Sequence, residues 1–202
     1  MIAPSESFSP DRKLVLASGS PRRQQLLKEA GLIFDIDVTN VTEMEPGSMP
    51  ARELCVTNAR LKACAGALRR PGDLVLGSDT IVVLGEKVFG KPDCLDTARS
   101  YLRELSGRAH EVMTAVSLVE GENSVDFVES AFVKFRQLDE DAITDYLERV
   151  EVLDKAGGYA AQEEGQRIIE EIEGDFHTVM GLPVARVLEE LEKLHFPLPT
   201  PA

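Results

Sequence analysis

The stretch "LVLASGSPRRQQLL", Leu14 to Leu27, decides how the chain begins to fold. Its apolar first part is typical of a buried strand, and after Ser18-Gly19-Ser20-Pro21 the arginines Arg22 and Arg23 open a predicted helix. A helix N-terminus already presents free N–H groups and about half a positive charge, so two further cations there are unfavourable without an anion. The stretch therefore predicts a strand, a turn and a helix that together bind an anion, with phosphate as the first candidate.

The turn has the residues that a small anion site needs. Ser20 is predicted to cap the helix, Pro21 suits its first position, and Gly19 lets a ligand approach the backbone closely. The guanidinium of arginine is planar and always charged, which suits phosphate. The alternative is an ordinary cap followed by two solvated arginines, and this segment alone does not decide between the two.

Outward from this start, strands and helices alternate along the chain. The predicted strands are residues 13–17, 33–38, 74–84, 111–119, 125–135 and 167–172, and the predicted helices are residues 22–30, 51–68, 95–105, 139–149 and 182–194. This order predicts an α/β fold, and a hairpin over Gly121-Glu122-Asn123 makes the sheet mixed. Residues 1–12 are predicted to be a loose N-terminal tail, residues 13–195 a single domain and residues 196–202 a C-terminal tail.

The composition limits the classes of molecule that the protein is expected to bind. The chain has 202 residues, of which 43% are hydrophobic and 28% charged, as is typical of a globular protein with its own core. A formal net charge of −13 repels nucleic-acid backbones, so a nucleic-acid polymer is not an expected partner. A small anion still fits, because a local group of cations can make one cleft positive on an acidic molecule.

The cysteines and the apolar runs predict the subcellular localisation of the protein. Cys55, Cys64 and Cys94 are odd in number and lack paired spacing, so neither a disulfide framework nor a zinc site is expected. No apolar run reaches the roughly 18 residues of a membrane span, and residues 1–11 lack the apolar core of a secretory signal. The expectation is a cytoplasmic protein that does not bind a membrane.

Asp79 lies inside the apolar run Leu74 to Leu84. With the period of two of a strand, it shares a face with Val75, Ile81 and Val83, where an unpaired carboxylate is very costly. One explanation is a β-bulge at Gly77 whose backbone amides satisfy the carboxylate. The sharper alternative is a carboxylate that binds a metal or acts as a general base.

Other candidates are weaker one by one. In the helix 51–68, Leu54, Asn58, Leu61, Ala65 and Leu68 recur at helical spacing, so Asn58 interrupts an apolar stripe and Lys62 lies one turn after it. Both residues then edge a site, although a lone helix lysine is usually a solvated flank. Glu43 in an acidic loop, Lys91 in "GKP" and Gln162 at the end of a glycine loop have equally plain structural explanations.

Five motifs in order nevertheless carry a specific resemblance. They are "LASGSPRR" (16–23), "GSDTIVV" (77–83) followed by "GKP" (90–92), "LSGRAHEVMTAV" (105–116), "DKAGGYAAQ" (154–162) and "GDFHTVMGLP" (174–183). Together they resemble the Maf-like family of nucleoside triphosphate pyrophosphatases over residues 14–194. The resemblance implies a two-lobed mixed sheet with flanking helices around a central cleft, as in inosine triphosphatases. It also implies a homodimer that hydrolyses a nucleoside triphosphate between its α and β phosphates with Mg²⁺ or Mn²⁺.

Motif by motif, the resemblance also implies roles for individual residues. Asp79 matches the family's proton acceptor and Glu43 an acidic position near the metal, so these two are the expected metal ligands. The substrate-specificity positions correspond to Arg22, Thr80 and Gln162, and the phosphate-site positions to Ser18, Arg23, Lys62 and Lys91. Arg22, Thr80 and "DKAGGYAAQ" resemble the branch that acts on dTTP and UTP, although Val152, Glu163 and Thr178 differ from the residues usual there.

The leading hypothesis is therefore a pyrophosphatase that removes dTTP, UTP or modified pyrimidine nucleotides. A second hypothesis, a nucleotide-binding regulator of cell division and septum formation, predicts that Asp79→Asn binds nucleotide normally and retains the biological effect. A third is an acidic α/β domain whose motifs are structural remnants.

Overall fold

A computed structural model describes residues 12–198. Its strands are Leu14–Leu16 (β1), Phe34–Ile36 (β2), Leu74–Leu84 (β3), Lys87–Phe89 (β4), Ala109–Glu120 (β5), Asn123–Phe135 (β6) and Ile169–Glu173 (β7). Its α-helices are Pro21–Glu29 (α1), Ala51–Arg69 (α2), Leu95–Leu105 (α3), Glu140–Arg149 (α4), Phe176–Met180 (α5) and Val184–Lys193 (α6). Two short 3₁₀ turns lie at Ala156–Gly158 and Gly165–Arg167.

The seven strands of the described chain form one mixed sheet. Its order is β2-β1-β3-β5-β6-β7, and β4 also pairs with β3. Strands β2, β1 and β3 are parallel, whereas β4, β5, β6 and β7 each run antiparallel to their partners. The predicted α/β class, the mixed sheet and the hairpin between β5 and β6 are confirmed.

Strand β3 lies at the centre of the sheet, with α2 against one face. A side chain at Gly77 would place its Cβ 2.3 Å from the Ala59 carbonyl oxygen, so glycine is needed for the close approach of α2. The pairing of β3 with β5 runs without a register shift from Val75 to Val83. The bulge proposed at Gly77 is therefore wrong, and Asp79 needs another partner.

The opposite face of β3 and β5 carries two separate apolar clusters. One packs α1 and α6 against Leu76 and Val116, and the other packs α3 and α4 against Val82 and Val112. The strand positions between these pairs are polar: Ser78 and Thr80 on β3, and Thr114 on β5. This polar interval separates two lobes, as the predicted two-lobed fold requires.

Among the described residues, no strand pairs with β3 between Leu76 and Val82 on the edge that faces β1 and β4. Strand β1 pairs with β3 only as far as Leu76, with a last bond from the Ala17 N–H to the Leu76 carbonyl, and β4 begins to pair at Val82. Because strand residues alternate in direction, the backbone of Ser78 and Thr80 faces this gap. The end of β1 therefore leads directly into a cleft at the sheet centre.

Two elements are absent from the sequence prediction, and several boundaries differ. β4 is only three residues long, and both it and α5, which Asp175 caps, lie in segments for which the sequence predicts no strand or helix. The last helix begins at Val184 rather than residue 182, and β7 begins at Ile169 rather than 167 because Gly165–Arg167 forms a 3₁₀ turn. Short elements lack the length over which periodicity can be read.

The predicted tails lie largely outside the described residues, at 1–11 and 199–202. Arg12, assigned to the loose tail, is instead buried, and its guanidinium bonds the Glu120 carboxylate and the Leu194 carbonyl. Phe196, assigned to the C-terminal tail, is buried beneath that guanidinium. The folded part therefore includes both residues. None of its helices is long and apolar enough to cross a membrane.

Candidate functional site

A cleft of about 350 Å³ opens between the two lobes. Asn58 does not line it, whereas the nine residues to which the family resemblance gives a role all do: Ser18, Arg22, Arg23, Glu43, Lys62, Asp79, Thr80, Lys91 and Gln162. They come from separate segments of the chain, which the sheet brings to one place. The structure thus gathers the candidates, while their individual roles remain predictions.

The N-terminus of α1 forms one side of the cleft. Pro21 occupies the first helical position, as predicted, but the Ser20 side chain does not cap the helix. Instead the Ser18 hydroxyl accepts a hydrogen bond from the Ser20 N–H at 3.2 Å. Because no side chain caps the first turn of α1, its N–H groups stay available to an anion.

Arg23 is fixed by three acceptors. Its Nε donates to the Gly181 carbonyl at 2.8 Å, Nη1 to the Ser18 hydroxyl at 3.2 Å, and Nη2 to the Thr80 hydroxyl at 3.2 Å. Burial lowers the pKa of its guanidinium, and the Asp79 carboxylate opposes this shift. Three of the five N–H donors of the guanidinium are used in this way. Arg23 is therefore an oriented group, and the solvated alternative is wrong for it.

Arg22 reaches across the cleft to the loop after α4. Its Nη1 lies 3.4 Å from Oδ2 of Asp154, while Oδ1 of Asp154 accepts from Lys155 at 2.7 Å. Lys155 is 5% exposed and also donates to the Glu151 carbonyl. The two cations lower the pKa of Asp154 against the effect of its burial. Arg22 is thus tied to the opposite lobe.

Asp79 and Glu43 share one cation. Lys62 Nζ lies 2.6 Å from Oδ1 of Asp79 and 3.1 Å from Oε1 of Glu43. Only 10% of the Asp79 side chain and 12% of the Lys62 side chain are exposed, so this carboxylate is paired in a largely dehydrated place. The alternative of a solvated helix flank is therefore wrong for Lys62, which lines the cleft. Each carboxylate contacts the lysine through one oxygen, and its second oxygen has no hydrogen-bond partner among the described residues.

Asn58 holds the loop that carries Glu43. Its Oδ1 accepts from the Met44 N–H at 2.8 Å, and its Nδ2 donates to the Met44 carbonyl at 3.1 Å. Asn58 is 3% exposed, so both polar ends of a buried amide are satisfied by one residue of the loop. The predicted stripe around it is only partly right, since Leu68 is exposed.

Cys55 lies directly behind the Asp79 backbone. Its thiol donates to the Asp79 carbonyl at 3.4 Å, and burial raises its pKa to about 12. The thiol is therefore protonated at neutral pH and is not a nucleophile for this cleft.

The far wall of the cleft is apolar and aromatic. Tyr159 lines it and lies 2.8 Å from Nε2 of His110, which burial keeps neutral by lowering its pKa to about 4. Phe135 packs edge-on against both rings. A second tyrosine, Tyr146, bonds the N–H and the carbonyl of Ala160 and so fixes the loop beneath Gln162.

Gln162 and Lys91 lie at the mouth of the cleft. The Gln162 amide donates to the neighbouring Glu163 carboxylate at 3.3 Å, and Lys91 is exposed. Within residues 12–198, the Lys91 ammonium has no hydrogen-bond or ion-pair partner. Neither side chain is fixed by the protein, in contrast to Arg23 and Lys62.

Sequence reasoning missed three residues that shape the site: Asp154, Lys155 and Thr114. From the sequence, Asp154 and Lys155 are predicted only to be part of a glycine loop. Two adjacent charges before Gly157-Gly158 could have indicated that they belong to the site. The signal for Thr114 is a hydroxyl between Val112 and Val116 on the buried face of β5.

The residues that differ from those usual in the dTTP and UTP branch lie outside the lining of the cleft. Thr178 and Val152 are both buried and do not line it, and the Thr178 hydroxyl donates to Asp175, the cap of α5. Glu163 is exposed beside Gln162. None of the three lines the cleft, and Glu163 contacts it through its hydrogen bond with Gln162.

Comparison with known proteins now decides the family. The family model described as Maf-like protein matches residues 13–194, almost the whole described chain. The protein belongs to the Maf-like family. The matched range of this Maf-like chain contains all five motifs, and each of them contributes at least one residue to the lining of the cleft.

Several relatives of this Maf-like chain are named dTTP/UTP pyrophosphatase. One from Akkermansia muciniphila is 44% identical over 183 residues, which cover 91% of this chain and 97% of the relative. One from Cytophaga hutchinsonii is 42% identical, with 91% and 85% covered. A third, from Bacillus cereus strain B4264, is 41% identical, with 90% and 95% covered.

Proposed function

We propose that this protein is a nucleotide pyrophosphatase that hydrolyses dTTP and UTP to the nucleoside monophosphate and pyrophosphate. The observation that carries the proposal is the cation-held carboxylate Asp79 at the centre of a cleft lined by Arg22, Arg23, Lys62 and Lys91. The relatives named dTTP/UTP pyrophosphatase support the choice of nucleotide.

These four cations of the cleft offset part of the charge of a triphosphate chain, which is about four negative charges. Three carboxylates of the described chain line the same cleft and reduce its net positive charge: Glu43, Asp79 and Asp154. Arg23 presents two remaining N–H donors beside the open N-terminus of α1, a combination that favours phosphate oxygens. Lys91 has no protein partner among the described residues, so it can approach the chain without breaking an ion pair. Arg22 exchanges part of its contact with Asp154 for phosphate.

The proposed reaction uses Asp79 as the proton acceptor. Asp79 accepts a proton from a water molecule, whose oxygen attacks the α-phosphorus. The bond between that phosphorus and the bridging oxygen to the β-phosphate breaks, and pyrophosphate leaves with the electron pair. Lys62 and the arginines stabilise the negative charge that develops on the leaving pyrophosphate.

A divalent cation fits the residues present. Mg²⁺ is usually held by one or two carboxylates together with substrate phosphates, and Asp79 and Glu43 each keep one oxygen outside the Lys62 contact. No group of three or more acidic, histidine or cysteine ligands is found among residues 12–198, so the protein supplies at most this pair. When bound, Mg²⁺ or Mn²⁺ would supply charge neutralisation on the phosphates.

The experiment is a panel of nucleotides assayed for pyrophosphate release with Mg²⁺, Mn²⁺ or a chelator. We expect dTTP and UTP to exceed CTP, GTP and 7-methyl-GTP, and the chelator to abolish release because the phosphate charge is then incompletely neutralised. If a nucleotide with another base were hydrolysed fastest, the assignment to dTTP and UTP would be wrong. If no nucleotide released pyrophosphate, the proposed enzymatic activity would be wrong.

Two further features are proposed on narrower grounds. A reducing compartment, the cytoplasm, agrees with three cysteines that are all free. A homodimer is proposed on the family resemblance, and sedimentation analysis of the purified chain tests it.

A further inference from the structure

A chain of hydroxyl groups runs from the wall of the cleft into the core. The Thr80 hydroxyl lies 3.0 Å from the Thr114 hydroxyl, and the Thr114 hydroxyl lies 2.8 Å from the carbonyl oxygen of Thr178. Thr114 is fully buried on β5, while Thr80 is partly exposed in the cleft. The three residues therefore form one line of hydrogen bonds with a single end toward the ligand.

The donor and the acceptor of each hydrogen bond in this line can be assigned. Two oxygens 2.8 Å apart need a hydrogen between them, and since the Thr178 carbonyl has none, the Thr114 hydroxyl must donate to it. Thr114 has only one hydrogen, so it cannot also donate to Thr80. The Thr80 hydroxyl therefore donates to Thr114, and its own hydrogen points away from the cleft.

Thr80 is consequently left as an acceptor. One lone pair of its oxygen receives Arg23 Nη2 at 3.2 Å, and the second remains for a ligand. Gly181 keeps the approach open, because a Cβ at this position would lie 3.2 Å from the Thr80 oxygen. A ligand atom at this place must therefore be a hydrogen-bond donor.

The apolar side of the cleft indicates which ligand atom this is. Asp79 points toward α2, Lys62 and Glu43. Thr80 lies on the opposite face of β3, where its hydroxyl is 3.2 Å from Arg23 and its apolar neighbours are Val82 and Val112. Tyr159 and Met180 extend this apolar wall. A planar base is the part of a nucleotide that fits an apolar wall, while the triphosphate belongs with Arg23, the N-terminus of α1 and Lys62.

We propose that Thr114 is a positioning residue which makes Thr80 an obligate acceptor, so that Thr80 selects the N3–H donor of uracil and thymine against cytosine. Cytosine presents an unprotonated N3, whose lone pair would face the lone pair of Thr80. The inference rests on the proposed function for its choice of nucleotide, and it explains how a threonine with both hydrogen-bonding capacities can discriminate.

The test compares the binding of UTP and CTP to the Asp79→Asn protein, which removes turnover from the measurement. With Thr114 present, we expect UTP to bind more tightly than CTP. Thr114→Val lets the Thr80 hydroxyl turn its hydrogen into the cleft, so the affinity ratio of UTP to CTP should fall about tenfold. Thr114→Ser restores the donor and acceptor and should restore the ratio.

Ser117→Ala is the matched control, because it removes another buried β5 hydroxyl that lies outside the cleft and has no hydrogen-bond partner among the described residues. It should leave the ratio unchanged. If Thr114→Val does not fold, Thr114→Ala removes the same hydroxyl at lower steric cost, and Thr80→Val removes the acceptor itself. Both should lower the ratio.

An unchanged ratio in a folded variant that lacks the Thr114 hydroxyl would overturn the inference, as would equal binding of UTP and CTP when Thr114 is present. This failure is distinct from that of the proposed function. The role of Thr114 is tested by the ratio of UTP and CTP affinities in the Asp79→Asn protein. The enzymatic activity is tested by pyrophosphate release from the wild-type protein.

Discussion

Asp79→Asn is expected to lower pyrophosphate release from UTP by about a hundredfold to ten-thousandfold, which is the usual contribution of a general base. The amide keeps the shape of the carboxylate but cannot accept the proton of the attacking water at neutral pH. It also loses the charge that holds Lys62 at 2.6 Å. Because binding uses mainly the cations, kcat should fall while the affinity for nucleotide is largely retained.

The measurement is steady-state pyrophosphate release, with equilibrium binding of UTP to the same variant. Asp126→Asn is a suitable control, because Asp126 is similarly shielded and pairs with Arg60 away from the cleft. It should retain wild-type activity. Full activity in Asp79→Asn would contradict the assignment of Asp79 as the proton acceptor.

Lys62→Met is expected to lower kcat/KM by about a hundredfold, as the loss of one charged donor from a catalytic site typically does. In the wild type, Lys62 holds Asp79 and Glu43 together at 2.6 and 3.1 Å. Without it, two carboxylates share the cleft with no cation between them and repel the triphosphate. The concentration of Mn²⁺ needed for half-maximal activity should therefore change as well as the KM for nucleotide.

Titration of activity with Mn²⁺ at several UTP concentrations measures both effects. Lys87→Met provides the comparison, since Lys87 forms an equally close ion pair with Glu104 at 2.6 Å but is outside the cleft. A Lys62→Met protein that is folded and has the kinetics of Lys87→Met would show that Lys62 is only a structural counter-ion.

The sequence predicts the long elements well because their periodicity is strong. β3 and α3 have the predicted bounds, and the alternation of residues along β3 places the polar side chains of Ser78 and Thr80 on one face. Asp79 stands out for a related reason, as a charge that breaks an apolar strand. Such positions are visible because a polar group inside an apolar strand is costly unless it has a partner.

The rest depends on contacts between distant segments, which periodicity does not contain. Along α2, leucines suggested the buried face, but the helix buries small residues such as Ala59, Ala63 and Gly66 because it packs closely on Gly77. The bond from Arg22 to Asp154 and the line from Thr80 through Thr114 to Thr178 join residues that are far apart in the chain. Such partners are fixed by the order of strands in the sheet.

The central claim is that a water molecule attacks the α-phosphorus of UTP or dTTP in this cleft. Turnover in water labelled with a heavy oxygen isotope, followed by mass spectrometry of the products, tests it most directly. The claim predicts one labelled oxygen in the nucleoside monophosphate and none in pyrophosphate. Label in pyrophosphate, or orthophosphate as the first product, would place the attack on another phosphorus and contradict it.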